Sequence, residues 1–215
     1  MEHRTIETLV EDLAAAMREI TGAPPRVVHE SGLAQTGYRP DAVIDLEHEG
    51  SSYRLVIEPK RLLFPRDARE AIWQLRNYLA HFNVGGQPAV PVLMAESISP
   101  GARQLLRDER VGYFDASGSL FIPASGLYVR VDRPASRKQA RSLNNLFAGR
   151  RGQALHAVWV LGRDWFGVHQ IAARAGVSPA TASETLIGIE RREWVEARGA
   201  GPSKESRLAN PRAAL

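Results

Sequence analysis

The chain has 215 residues, a formal net charge of +4 and 44% apolar residues. That length suits one large domain or two small ones with a real core, and the composition excludes a disordered polymer. The absence of cysteine excludes a disulfide framework, cysteine catalysis and thiolate-bound zinc. Apolar runs such as Ala157–Leu161 are far too short to cross a bilayer. The amphipathic, acid-bearing start does not resemble a secretion signal, so a cytoplasmic, nucleoid-associated location is expected.

Charge is distributed unevenly. Residues 1–130 hold 14 basic and 17 acidic groups, whereas residues 131–215 hold 14 basic and 7 acidic groups. An acid-leaning front and a basic back suggest two modules, the second with a polyanionic partner. Of the 28 basic residues only Lys60, Lys138 and Lys204 are lysines. In a chain so dominated by arginine, a remaining lysine points to a site that wants an ammonium.

Ile6, Leu9, Val10, Leu13, Met17 and Ile20 recur at helical spacing, and Thr21-Gly22-Ala23-Pro24-Pro25 stops that helix. Val27-Val28-His29 is a short strand candidate. Asp41–Glu47 and Tyr53–Lys60 are β-rich runs joined around Glu49-Gly50, a hairpin-type dipeptide. A helix over about Pro65–Phe82 follows. Its buried stripe is Ala68, Ala71, Ile72, Leu75, Leu79 and Phe82, and Gly85-Gly86 ends it.

Ala89–Ala95 is a continuous apolar run, as expected of a strand covered on both faces. Ser99 and Pro100 start a helix carrying Ala102, Leu105 and Leu106. Tyr113-Phe114, Leu120–Ile122 and Leu127–Val131 close the region as strands, with turns at Ser117-Gly118 and Ser125-Gly126. Asp115 to Gly118 reads as a type I turn. The order predicts an α/β domain, a mixed sheet flanked by helices.

Asp132–Arg141 is polar and basic, as a linker would be. Helices are expected over about Gln139–Ala148, Gln153–Leu161, Val168–Ala175 and Pro179–Glu193. The expected organisation is a domain over 1–132, a linker and connecting helix over 133–149, and a second domain over 150–215.

The most informative residues are Pro40-Asp41 and Glu58-Pro59-Lys60. If Glu49-Gly50 is a two-residue turn, paired positions sum to 99 and Asp41 lies opposite Glu58. Lys60, two residues on, points to the same face. A one-residue slip would undo this convergence. Two carboxylates suit Mg²⁺, which sits against a phosphate, and a lysine can orient water or neutralise developing charge. Asp45 shares the face of Asp41 but sits opposite Arg54, which reads as a surface ion pair.

These residues resemble the PD-(D/E)XK nuclease superfamily. The following helix carries Gln74 and Tyr78 at the Q-x-x-x-Y spacing found in several of its branches. The resemblance covers about residues 3–130. It implies a restriction-endonuclease-like fold, a Mg²⁺ or Mn²⁺ cofactor held by Asp41 and Glu58, a catalytic Lys60, and supporting roles for Gln74 and Tyr78. Hydrolysis of DNA phosphodiesters would follow, with a homodimer natural for double-strand cleavage. Pro59 departs from expectation, because proline cannot donate to a central ladder unless it sits at a bulge or where pairing has ended.

Val168 to Leu186 matches a helix-turn-helix. Ile171, Ala172 and Ala175 form the small apolar inside, Gly176 the turn, and Ser178-Pro179 the start of the second helix. Trp194–Ala197 and Arg207-Leu208 would flank a Gly-rich, basic β-wing. The segment resembles the winged helix-turn-helix DNA-binding domains of bacterial regulators. That resemblance implies a double-stranded DNA partner. Ser178, Thr181, Ser183 and Glu184 would lie near the major groove, and Arg174, Arg198, Lys204 and Arg207 on phosphates. A plain helical bundle with a hairpin is the alternative.

Other patterns are weaker. The six histidines have no close-spaced metal pattern. Glu7 and Glu11 share a helix face and read as solvated charges. No Gly-x-x-x-x-Gly-Lys loop is present. The rival to a nuclease is a non-catalytic transcription regulator using the nuclease-like fold as a dimerisation or sensing scaffold. Pro59 favours the rival and Lys60 the enzyme.

Overall fold

The computed structural model describes residues 6–28, 41–81, 89–136, 139–140 and 145–209. The chain forms two compact units. One comprises Met1–Leu63 with Asp67–Gln139, the other Phe64–Arg66 with Ala140–Leu215. Among the described residues no helix is long and apolar enough to cross a membrane.

The first unit is α/β, a mixed seven-stranded sheet flanked by helices. Its elements are α1 (Ile6–Thr21), β1 (Arg26–Val28), β2 (Ala42–His48), β3 (Ser51–Leu63), α2 (Pro65–His81), β4 (Ala89–Ile98), α3 (Pro100–Asp108), β5 (Gly112–Asp115), β6 (Leu120–Ala124) and β7 (Leu127–Val131). The spatial order of the strands follows the chain. The β3–β4 and β4–β5 pairs are parallel, joined through α2 and α3, and the other four pairs are antiparallel. Parallel neighbours need such crossovers, whereas the β2–β3, β5–β6 and β6–β7 pairs are joined by short turns.

Strand alternation divides the core into two faces. Leu9, Val10, Leu13 and Met17 of α1 pack on Ile44, Leu55, Ile57, Val92 and Met94. Ala68, Ala71, Ile72 and Leu75 of α2, with Ala102 and Leu106 of α3, pack on Val56, Leu93, Tyr113 and Phe121. The α1 stripe is shorter than its spacing suggests, because Ile6 and Ile20 at its two ends remain exposed. Ser99 caps α3 as its sequence predicts, accepting from the Ala102 amide at 3.3 Å.

The turn after β5 holds more than turn chemistry. Gly118 N donates to Asp115 O at 2.7 Å, with Gly118 at φ +83°. The buried Asp115 carboxylate also accepts from Ser117 N at 2.9 Å, from Ser119 N at 3.2 Å and from the Arg103 guanidinium of α3. The type I turn is thus also the anchor of α3 on β5. Beyond β7, Gln139 Nε2 donates to Glu96 O at 2.7 Å. The polar stretch after β7 is thereby tied to β4 at Gln139.

The second unit contains a 3₁₀ turn (Asn145–Phe147), α4 (Gly149–Leu161), α5 (Val168–Ala175), α6 (Pro179–Arg191), β8 (Val195–Arg198) and β9 (Glu205–Leu208). The expected helix over 139–148 does not run through to its end. Residues 141–144 lie outside the described residues, Asn145–Phe147 is 3₁₀, and Ala148 is already the N-cap of α4. That helix starts four residues before its apolar periodicity does. Gly176 adopts φ +64° between α5 and α6, and Ser178 caps α6 by accepting from Thr181 N at 3.2 Å. β8 and β9 form an antiparallel hairpin, joined to Phe166 by reciprocal bonds of 2.9 and 2.8 Å between Phe166 and Ser206.

Other expectations that fall outside the described residues are those on His29, Pro40, Phe82 and Gly85-Gly86.

Removing one partner of a buried ion pair leaves an uncompensated charge. Asp115→Ala should therefore lower the unfolding free energy by about 3–5 kcal/mol. Urea denaturation measures this, and a loss below about 1 kcal/mol would mean the cluster is solvated and adds little.

Candidate active site

Glu49 and Gly50 both have positive φ, at 49° and 75°. This is the backbone of a two-residue type I′ turn, which matches the twist of the strands it joins. Its register pairs His48 with Ser51, Asp45 with Arg54 and Ala42 with Ile57. Each pair sums to 99, so Asp41, one residue before β2, stands at the level of Glu58. Arg54 donates to both Asp45 oxygens, at 2.6 and 2.8 Å, which commits Asp45 to that ion pair.

Val56 faces the α2/α3 side of the sheet, and Glu58 and Lys60 share its alternation. Ala42 and Ile44 face α1, which turns Asp41 toward the α2/α3 side as well. Glu58 is buried, with 6% of its surface exposed. Lys60 Nζ donates to Glu58 Oε1 at 2.6 Å, and the lysine side chain keeps 34% of its surface exposed. A buried carboxylate needs such a partner. Desolvation of the Asp41 carboxyl and the negative charge of Glu58 push the Asp41 pKa above its ordinary value, and Lys60 pulls it back in part.

Pro59 lies within β3, not at its end. The β3–β4 pairing keeps a constant offset from Arg54–Ala89 through Leu63–Ile98, so no bulge accommodates it. Among the described residues the β2 ladder ends at Ala42–Ile57, two residues earlier, so no described strand on that side takes a donor from Pro59.

Among the described residues no group of three or more histidine, aspartate or glutamate side chains gathers as a metal site. Two carboxylates nonetheless fit Mg²⁺, which takes one or two of them and completes its shell with water and phosphate oxygens. Desolvation first, and the charge of Glu58 second, disfavour the ionised Asp41, and a divalent cation would offset both.

Gln74 and Tyr78 lie on α2, over the same sheet face. Tyr78 is buried with Leu75, Leu93 and Ile98, so its ring is a packing group of that core. Gln74 is partly buried. Glu7 and Glu11 belong to α1, on the opposite side of the sheet, and are exposed.

In the second unit several of the residues expected to contact DNA have partners within the unit. Ser178 and Thr181 hydroxyls bond each other at 3.0 Å, and Ser183 is partly buried. Glu184 pairs with Arg151 at 2.7 Å. Arg174 lines an open groove of about 740 Å³ with Phe147, Gln153, His156 and Val160. Lys204 pairs with Glu190 at 2.7 Å. Arg198 and Arg207 pair with Glu205 and Glu196. Arg103, Phe166 and Trp165 are not announced by the sequence. The first two act through contacts distant in sequence, and Trp165 gains its role only when the hairpin folds against it.

No protein-family model matches the chain, and no curated protein matches it. Solved structures share parts of it. A possible transcriptional regulatory protein fragment from Mycobacterium bovis is 27% identical over 36% of this chain and 81% of its own, with a TM-score of 0.29. The AntR antimony-specific transcriptional repressor is 25% identical over 39% of this chain and 78% of its own, with a TM-score of 0.28. A repair endonuclease from Pyrococcus abyssi is 14% identical over 58% of this chain and 50% of its own, with a TM-score of 0.35.

A carboxyl with a higher pKa folded than unfolded holds its proton more tightly in the fold, so its ionisation at neutral pH opposes folding. Asp41→Asn should therefore raise the thermal midpoint at pH 7 in metal-free buffer. The gain should shrink as pH falls and the native Asp41 takes up its proton. A midpoint lowered at pH 7 would instead show that the charge is held by a favourable partner.

Proposed function

We propose that the chain is a metal-dependent nuclease that hydrolyses phosphodiesters of double-stranded DNA. In this reading the first unit is a restriction-endonuclease-like domain and the second a winged helix-turn-helix. The observation that carries it is the convergence of Asp41, Glu58 and Lys60 at one end of the β2–β3 hairpin, set by the type I′ register.

Asp41 and Glu58 would hold Mg²⁺ or Mn²⁺. When bound, that cation supplies Lewis acidity toward phosphate oxygens and water. The residues of the chain do the rest. The two carboxylates bring negative charge to one point and are stabilised by any cation that arrives there. Lys60 neutralises Glu58 while the site waits. Its ammonium, on a flexible stem, can turn from the carboxylate to a phosphate oxygen or to the attacking water. Burial of Glu58 restricts competing solvent around it and strengthens each charge interaction.

The second unit supports delivery to a duplex. Two helices joined through a left-handed glycine, followed by a two-stranded hairpin tied to Phe166, have the layout that presents one helix to a major groove. A homodimer would give two active sites for two strands.

A second reading has its own support. Tyr78 is a core residue, packed with Leu75, Leu93 and Ile98. That role fits a transcription regulator that keeps the fold as a scaffold without catalysis.

Plasmid cleavage separates the two. The expected result is nicking or linearisation with Mg²⁺ or Mn²⁺, lost by at least a hundredfold in Lys60→Ala and in Glu58→Gln, an effect of about 3 kcal/mol on the barrier. Cleavage that survives Lys60→Ala would overturn the site. Duplex binding without cleavage in either metal would favour the regulator.

A further inference from the structure

The β8–β9 hairpin carries four charged side chains on one face. β8 supplies Glu196 and Arg198, and β9 supplies Glu205 and Arg207. The register sets Glu196 opposite Arg207 and Arg198 opposite Glu205, so sign alternates both along and across the strands. Both cross-strand pairs are made. Arg207 Nε donates to Glu196 Oε1 at 2.5 Å, and Arg198 donates to Glu205 Oε2 through Nε at 2.8 Å and Nη2 at 2.7 Å. The other face carries Val195, Ser206 and Leu208, all buried.

Trp165 adds a second restraint. The guanidinium carbons of Arg198 and Arg207 lie 4.1 and 4.6 Å from the centre of its ring. Each arginine thus has a carboxylate at its donor edge and an indole against its plane. Those are the two modes by which a guanidinium is held in place. The four charges sum to zero, so this face offers no net attraction to a phosphate backbone as it stands.

We propose that Glu196 and Glu205 are internal stand-ins for DNA phosphates, holding Arg198 and Arg207 on Trp165 until a backbone phosphate takes their place. The hairpin is then a restrained phosphate clamp whose grip is set by its own glutamates. A carboxylate and a phosphate oxygen are alternative acceptors for the same planar donor edge. The exchange therefore needs no rearrangement of the hairpin backbone. This inference rests on the reading of the second unit as a duplex-DNA reader.

The test uses the full chain and a labelled random-sequence duplex, titrated across a range of salt concentrations. The proteins are the native one, Glu196→Gln, Glu205→Gln, and Glu205→Gln combined with Arg198→Ala. Each glutamine variant should bind more tightly, by about tenfold at 0.1 M salt, with a salt slope steeper by about 0.9 for the one arginine released. Adding Arg198→Ala to Glu205→Gln should cancel that gain, because the gain belongs to the freed arginine. Thermal unfolding confirms that each variant is folded. Native-like affinity and slope in both glutamine variants would overturn the proposal, and would leave this face for a protein partner. A gain that survives Arg198→Ala would also overturn it, since simple loss of negative charge would then explain the effect. Both outcomes leave duplex binding by the native protein intact. No duplex binding by any of the proteins would overturn the DNA-reading assignment and this inference with it.

Discussion

The two-residue turn at Glu49-Gly50 governs what the first unit can do. Both residues adopt positive φ, and the strands leave the turn with no residue to spare. Every pair in the β2–β3 ladder follows from that geometry, including the Asp45–Arg54 ion pair and the level at which Asp41 meets Glu58. One extra residue in the turn would send each β3 side chain to the opposite face. Val56 would then leave the α2/α3 core, and Glu58 and Lys60 would face α1. The site and the core are thus specified by the same backbone, so the register cannot be changed for one without loss of the other.

The placement of charge follows a second constraint. β3 and β4 are central strands with apolar residues on both faces, and a carboxylate there is costly unless paired. Glu58 has Lys60, and two strands away on the same face Asp115 has Arg103 and the serine donors of its turn. These two buried acids end differently. Asp115 is enclosed by partners from two elements and anchors α3. Glu58 is paired with a flexible ammonium that reaches solvent, beside an Asp41 whose ionisation its charge opposes. The first arrangement is a structural clasp. In the second, the Lys60 side chain keeps a third of its surface exposed.

Much of this was legible in local patterns. Helix stripes, the Ser99 and Ser178 caps, the Gly176 turn and the hairpin register all depend on residues close in sequence, where chemistry dictates geometry. What was not legible is non-local or collective. Arg103 and Asp115 lie twelve residues apart on a helix and a strand, and each alone looks like a surface charge or a turn residue. The end of β3 beyond Lys60 has no apolar alternation to announce it, because Arg61 is exposed while Leu63 is buried. Tyr78 fits a functional spacing and a core stripe equally well, and only its packing against Leu75 and Leu93 distinguishes the two. Counting charges in the second unit likewise overlooks that many of them face each other across the hairpin.

The alternating charges of that hairpin bear on how a partner arrives and leaves. A lattice with no net charge has a field that fades within a short distance, unlike that of a cluster of one sign. In the native protein the hairpin therefore takes no part in drawing a distant polyanion inward. Whatever steering occurs must come from other cations, such as those in the basic stretch that follows β7. On the proposed reading the hairpin would act only at contact, and its contribution would fall on the lifetime of an encounter already made, not on the frequency of encounters.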